Sequence, residues 1–366
     1  MSSLYDEYSA LFSKQDSIFR SKRLSGINDY NIDSVFLSPH STNFIKYFYF
    51  SESLVKLIIN TKFEGFRDKH TVSAFLLGIL LKDKLKLSTK KLPKVGQDSK
   101  DSFLYFWSMI SLSHDLTFWM ETTDQFYDTA KTIDGFVGSF SLKHNLLEKS
   151  RYSNLISSYY QYKSDVFNQM DHGITCGLIL YDFLMKDYEH RLKIKKEAAI
   201  IISSDDWKFS NDYPKHALTI CETIARHNMW VADDKNVKEY EKYGLYDLIP
   251  TTTGFHKVAY SENESLLFLL GLVDTLEPVK CLLKDNSDID VYDLIKNISI
   301  EFNHRKKRLT ISSGKYITEE IINKWLGISE WLNAQVVKLD NGVDIIFEYQ
   351  KDDLSSRTQI EKNPRD

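Results

Sequence analysis

His114 and Asp115 stand side by side in the apolar run SMISLSHDLTFWM, and four further ionisable groups, His70, His172, His227 and Asp274, sit in comparably apolar company. Imidazole nitrogens and carboxylate oxygens are good ligands for first-row divalent metals. A charge buried without compensation costs several kcal/mol, so a buried Asp points to a cation partner. Asp274 is the sharpest case, placed within LLFLLGLVDTLEP. It reads either as a ligand or as a salt-bridged or capping Asp, with Lys280 available nearby. Adjacent residues on a helix diverge by roughly 100°. His114 and Asp115 therefore reach one metal only if the helix ends or bends there, or if the carboxylate bridges two metals.

His216 and His227 share the segment PKHALTICETIARHNMW. Eleven residues put them on one face, but about 16 Å apart at 1.5 Å per residue. They cannot serve one centre. His227, next to Asn228, is the ligand candidate, and His216 is a pocket-rim, substrate-binding or structural residue. His172 lies in MDHGITCGLILYDFL, where Gly173 and Gly177 allow close helix packing. Taken singly, each of these histidines reads as a core residue; the conjunction makes the case.

The elements that must position these residues are mostly helical. Helical patterns cover 68–84, 102–132, 145–165, 168–191, 214–231 and 263–283, with Pro214 suited to a helix start. Residues 1–30 and 41–60 also read as helical, with a turn near Gly26. Loops fall at 85–101, 203–213 and 232–262. After about residue 281 the texture changes. ISIEFN (298–303), RLTISS (308–313), AQVVKL (334–339) and VDIIFEYQ (343–350) read as strands, and TEEIINKWLGISEWL (318–332) as a helix. Asp340-Asn341-Gly342 is a hairpin signal. The expected organisation is a helical domain over 1–285, with its core at about 60–285, a small α+β module at 295–350, and a flexible tail at 351–366.

Of the 366 residues, 42% are hydrophobic and 27% charged, as in a globular chain rather than a disordered one. There are 51 acidic and 47 basic residues, a balance that argues against long duplex nucleic acid as partner. Cys176, Cys221 and Cys281 form no CxxC pair, which fits free thiols in a reducing cytoplasm. No signal-peptide pattern opens the sequence, and the longest apolar runs fall short of the ~20 residues of a membrane span.

In order, His70, His114-Asp115, His172, His227 and Asp274 resemble the H…HD…D ligand pattern of the HD superfamily of metal-dependent phosphohydrolases. The resemblance covers about 60–285 and rests on FRDKHTVSAFLLG, WSMISLSHDL, MDHGI, TIARHN and LLFLLGLVDTLEP. It implies a mainly α HD-domain helical bundle. It also implies that His70, His114, Asp115 and Asp274 hold a first divalent metal (Mn, Mg, Fe, Co, Ni or Zn), while His172 and His227 complete a second site with Asp115 bridging. The sequence departs from many members in continuing the pair as Leu116-Thr117-Phe118 instead of Ile-Gly, in lacking the GYP signature of cyclic-dinucleotide phosphodiesterases, and in lacking the PFGH-like and EGN-type segments of dGTP triphosphohydrolases.

On that resemblance Asp115 orients and deprotonates the nucleophile. With a single metal, His172 or His227 is free to act as general acid. Arg67, Lys69, His216 and Asn228 are substrate-binding candidates, and Arg67 is favoured over Lys69 for its bidentate fork. Glu121 and Asp171 are candidates to orient the histidines. Glu121 lies seven residues after His114, on the same face if the helix continues. The expected substrate is a nucleotide phosphoester, favoured as a deoxynucleoside tri- or monophosphate. The alternatives are a phosphodiesterase for cyclic or short oligonucleotides, and a non-catalytic nucleotide sensor. The C-terminal module is open to self-association or to a protein partner.

Overall fold

A computed structural model describes residues 2–13, 30–36, 44, 67–95, 99–121, 129–197, 210–250, 264–280, 290–315, 318–332 and 334–347. The chain is mostly helical, with a small antiparallel sheet near its C-terminal end. The helices that frame the histidines are α1 (Leu4–Ser13), α2 (Ile32–Val35), α3 (Arg67–Lys84), α4 (Ser99–Ser111), α5 (Phe118–Glu121), α6 (Ile133–Ser139), α7 (Ser153–Phe167), α8 (His172–Glu197), α9 (Tyr213–Arg226), α10 (Val237–Lys242) and α11 (Ser265–Leu276).

Helix α11 is apolar nearly all round and is buried against α3, α4 and α9. This is what its run Leu266–Val273 demands, since a helix without a polar face must be enclosed. Its end is set by chemistry visible in the sequence. Pro278 disfavours a helical Glu277, which adopts an extended backbone, and one short turn follows at 278–280. The expected helix to 283 therefore stops at Leu276; residues 281–283 lie outside the described set, as do the expected helices at 41–60, apart from Phe44.

Two close approaches set the spacing of the bundle. A Cβ at Gly78 on α3 would lie 1.9 Å from Trp107 Cζ2 on α4, so only glycine admits the indole there. Trp107 is fully buried, stacks on Phe103 and donates its Nε1–H to the Phe75 carbonyl at 2.9 Å. Between α8 and α9, a Cβ at Gly173 would meet His227 Nδ1 and the Ile224 carbonyl at 2.9 Å, and one at Gly177 would meet the Cys221 carbonyl at 2.8 Å. The expected close packing at these two glycines is present.

The helix expected over 102–132 is interrupted where the site needs it. α4 ends at Ser111, a turn spans 112–117, and α5 begins at Phe118. The turn is fastened to α8: Thr117 Oγ1 donates to the His172 carbonyl at 2.8 Å, and Cys176 Sγ to the Ser113 carbonyl at 2.9 Å.

After α12 (Val291–Asn297) come β1 (Ile298–Asn303) and β2 (Arg308–Ser313), then α13 (Glu319–Leu326), α14 (Ile328–Trp331), β3 (Ala334–Leu339) and β4 (Gly342–Phe347). The sheet order is β1-β2-β4-β3, and each neighbouring pair is antiparallel. Strands stand at all four expected positions, with Asn341-Gly342 at the β3–β4 turn; residues 348–350 lie outside the described set. The expected helix over 318–332 is divided at Gly327. The sheet is joined to the helices through α1, which packs on α12 and β1 and bridges Ser3 to Ser299, and through Phe268 of α11 against Phe347. Among the described residues no helix is long and apolar enough to cross a membrane. Cys176 and Cys221 are buried free thiols; Cys281 is outside the described set.

Candidate metal centre

His70 enters from the first turn of α3, His114 and Asp115 from the turn after α4, and His172 from the first residue of α8. His227 caps α9, and Asp274 lies in the last turn of α11. These six side chains meet. His70 Nε2 lies 3.5 Å from Asp115 Oδ2 and 3.4 Å from Asp274 Oδ1. His114 Nε2 is 3.6 Å from Asp115 Oδ1 and 3.4 Å from Asp274 Oδ1. His172 Nε2 is 3.3 Å from Asp115 Oδ1. The His227 ring stands edge-on to both His114 and His172, with centroids 5.4 and 5.2 Å away. Ligand atoms of His70, His114 and Asp115 lie within 4.8 Å of one another, and so do those of Asp115, His172 and His227. Asp115 belongs to both groups.

The donor chemistry fits a divalent cation. A carbonyl only accepts, so His114 Nδ1, 2.7 Å from the Ser111 carbonyl, and His227 Nδ1, 2.6 Å from the Ile224 carbonyl, carry the protons. Where such a ring is neutral, Nε2 is its lone pair. On His70, His114, His172 and His227 alike, Nε2 is buried and has no hydrogen-bond partner. Imidazole lone pairs beside carboxylate oxygens repel unless a proton or a metal cation lies between them. A divalent cation meets that requirement for all four rings at once, which makes the group a candidate ligand set.

The metal-free charges follow the same logic. Burial alone would raise the Asp115 carboxyl, but Lys280, then His114 and His172, hold it well below the usual range. Asp274 is likewise held well down, with Lys280, His114 and His70 outweighing burial. Burial opposes the charge on His172, yet Asp115 and Glu121 push its pKa up to about 10. His70 is also raised, by Asp274 and Glu277 against the effect of burial. Burial, reinforced by His172 and His114, lowers His227 to about 3 and keeps it neutral. A metal entering the cluster would therefore displace protons from His70 and His172.

Glu121 approaches His172 Nδ1 at 3.0 Å. The break after Ser111 takes it off the His114 face where a continuous helix would have put it. Asp171 acts elsewhere: it accepts the Ile174 backbone N–H at 2.9 Å and the Asn228 side chain at 3.2 Å, and so anchors the start of α8. Asn228 is further engaged by Trp230 Nε1 at 3.2 Å. His216 is buried edge-on against Phe106 and Tyr105, three turns of α9 from His227, and is not brought into the cluster. Lys69 is half-buried beside His70, with its backbone N–H on Asp68 Oδ1. Arg67 begins α3, and its side chain lies outside the described set.

Glu277 was missed as a site residue. Fully buried, it approaches His70 Nδ1 at 2.6 Å and accepts the backbone N–H groups of Val279 and Lys280 at 2.9 and 3.0 Å. The available signal was an acidic residue three positions after Asp274 and just before Pro278. Carboxylates that orient a ligating imidazole change metal affinity about 10–100-fold. Glu277→Gln is expected to weaken Mn²⁺ binding by that factor in a calorimetric titration, and an unchanged affinity would remove Glu277 from the site. Lys280, at 3.0 Å from Asp274 Oδ1 and 3.7 Å from Asp115 Oδ2, completes the surroundings.

Compared with known proteins, the chain matches no family model, no curated protein and no solved structure.

Proposed function

We propose that this protein is a metal-dependent phosphohydrolase of HD type acting on a nucleotide phosphoester, with a deoxynucleotide as the favoured substrate. The observation that carries the reading is the sharing of Asp115 between two buried histidine groups, His70 with His114 and His172 with His227. Asp274 faces the first of these groups. The HD-like order of the ligands along the chain supports the reaction class and the nucleotide substrate.

His70, His114, Asp115 and Asp274 would hold one divalent cation, and Asp115, His172 and His227 a second. When bound, such a cation lowers the pKa of water and neutralises charge on phosphoryl oxygens. The chain's own residues supply orientation and proton handling. Glu277 fixes the His70 ring through a hydrogen bond, and Glu121 supplies a charge beside the His172 ring. The Ser111 and Ile224 carbonyls fix the tautomers of His114 and His227. Asp115, held ionised, accepts and directs a proton from the attacking water. With one cation in the His70 group, His172 is free to donate the Nε2 proton to the leaving oxygen. Burial of the four rings keeps bulk water from competing for these contacts.

The test is a panel of nucleoside mono- and triphosphates, ribo and deoxy, with cyclic and linear dinucleotides, incubated with the purified chain and Mn, Mg, Fe, Co or Ni. Metal-dependent release of phosphate, pyrophosphate or triphosphate, strongest from a deoxynucleotide, is the expected result. No turnover of any nucleotide with any of these metals would sink the enzymatic reading.

A further inference from the structure

Lys280 is the ammonium that faces Asp115 and Asp274. Its Nζ lies 3.0 Å from Asp274 Oδ1 and 3.7 Å from Asp115 Oδ2. Those are the two oxygens that approach His70 Nε2 at 3.4 and 3.5 Å. The ammonium thus neutralises the oxygens that a cation seated with His70 must take. A divalent ion and an ammonium sharing the same oxygens repel each other strongly at such short range.

The local backbone lets the side chain move while its root stays fixed. Glu277 accepts the Lys280 backbone N–H and approaches His70 Nδ1, so one buried carboxylate pins both residues. Beyond that anchor is a flexible four-carbon stem with a point charge at its end. Exposure shows where the stem can go. The His70 and His114 rings and the Glu277 carboxylate are 0% exposed, whereas the Asp274 and Lys280 side chains are 21% and 19% exposed. Lys280 stands at the solvent mouth of the cluster, with its Nζ 6.0 Å from the centre of the Phe118 ring. Among the residues of the cluster, the exposed edge therefore lies at Asp274 and Lys280.

We propose that Lys280 is a tethered counter-ion: it neutralises Asp274 and Asp115 in the metal-free protein and, displaced by an arriving divalent cation, turns to hold a phosphate group at the mouth of the site. This inference rests on the metal-centre reading above and adds an exchange of partners by one lysine. It requires opposite effects on two ligands. Loss of the ammonium removes a competitor of the metal and removes a contact of the phosphate. A lysine that merely braces the fold would move neither in this way.

The experiment uses the full chain, stripped of metal and titrated calorimetrically with Mn²⁺, then loaded with Mn²⁺ and titrated with inorganic phosphate. Lys280→Met is expected to bind Mn²⁺ at least ~10-fold tighter than the parent chain and phosphate at least ~10-fold more weakly. Lys280→Arg keeps the charge and so guards against a folding defect in the Met variant. It is expected to bind Mn²⁺ no more tightly than the parent and to retain phosphate binding within a few-fold. Circular dichroism melts of the metal-free variants establish that each is folded. If folded Lys280→Met binds Mn²⁺ no tighter, or binds phosphate undiminished, the inference is overturned while the metal centre stands. If the parent chain binds no Mn²⁺, the metal centre itself is refuted and the inference with it.

Discussion

Asp115→Asn is expected to lose metal from both histidine groups and to lower metal-dependent hydrolysis by at least ~10³-fold. One carboxylate faces His70, His114 and His172. The substitution conserves volume and removes the charge, so the two histidine groups lose the one carboxylate they share, while Lys280, His70 and His114 keep Asp274. Charge stabilisation by a bound metal is worth several kcal/mol, and each 1.36 kcal/mol is about tenfold in rate. Elemental analysis after gel filtration should show metal well below that of the parent chain, with a circular dichroism spectrum that still reports folded helices. Turnover within tenfold of the parent would show that Asp115 is not at the centre of the chemistry.

The largest effect on stability is expected far from any ligand, at Gly78. A methyl group there would fall inside the Trp107 indole, 1.9 Å from Cζ2 and 2.2 Å from Cε2. Neither partner can yield cheaply, because Gly78 is in mid-helix and the indole is fully buried and hydrogen-bonded to Phe75. Gly78→Ala gains about 1 kcal/mol in helix propensity. Overpacking and displacement of the indole outweigh this, for a net loss of about 3 kcal/mol. At about 2.1 cal/mol/K of unfolding entropy per residue, a chain of 366 residues shifts by about 1.3 °C per kcal/mol, so the melting temperature falls by about 4 °C. A drop below about 2 °C would mean that α3 and α4 separate more easily than this packing implies. Because α3 carries His70 and α4 leads into His114, metal affinity should fall together with stability.

Much of this arrangement was legible because apolar helices carry few reasons to hold an ionisable group. His70, His114, Asp115, His172, His227 and Asp274 each break such a pattern, and the fold brings them together. The strands were legible from β-branched runs and from the Asn341-Gly342 turn. What was hidden depended on breaks and on tertiary partners. A periodicity read straight through 102–132 conceals the turn at 112–117, and with it the partner of Glu121. Reading 263–283 as one helix conceals how Glu277 turns back to His70 once Pro278 has ended α11. Lys280 was visible as an ion-pair partner of Asp274, but its approach to Asp115 required the fold. His216 shows the converse: a histidine on the same helical face as His227 is an aromatic-packed core residue, because helical rise carries it away from the cluster.

Gly173 and Gly177 have a consequence for which ions can be accepted. Where α8 meets α9, there is no room for a Cβ at Gly173 or Gly177 against the His227 ring and the Ile224 and Cys221 carbonyls, so the gap between His172 and His227 has little give. Within that group, adjustment to a larger or smaller ionic radius would have to come from Asp115, its one carboxylate. The imidazole side of the second group would then be a stiff gauge for any cation held there, its width set by a backbone contact that touches no metal at all.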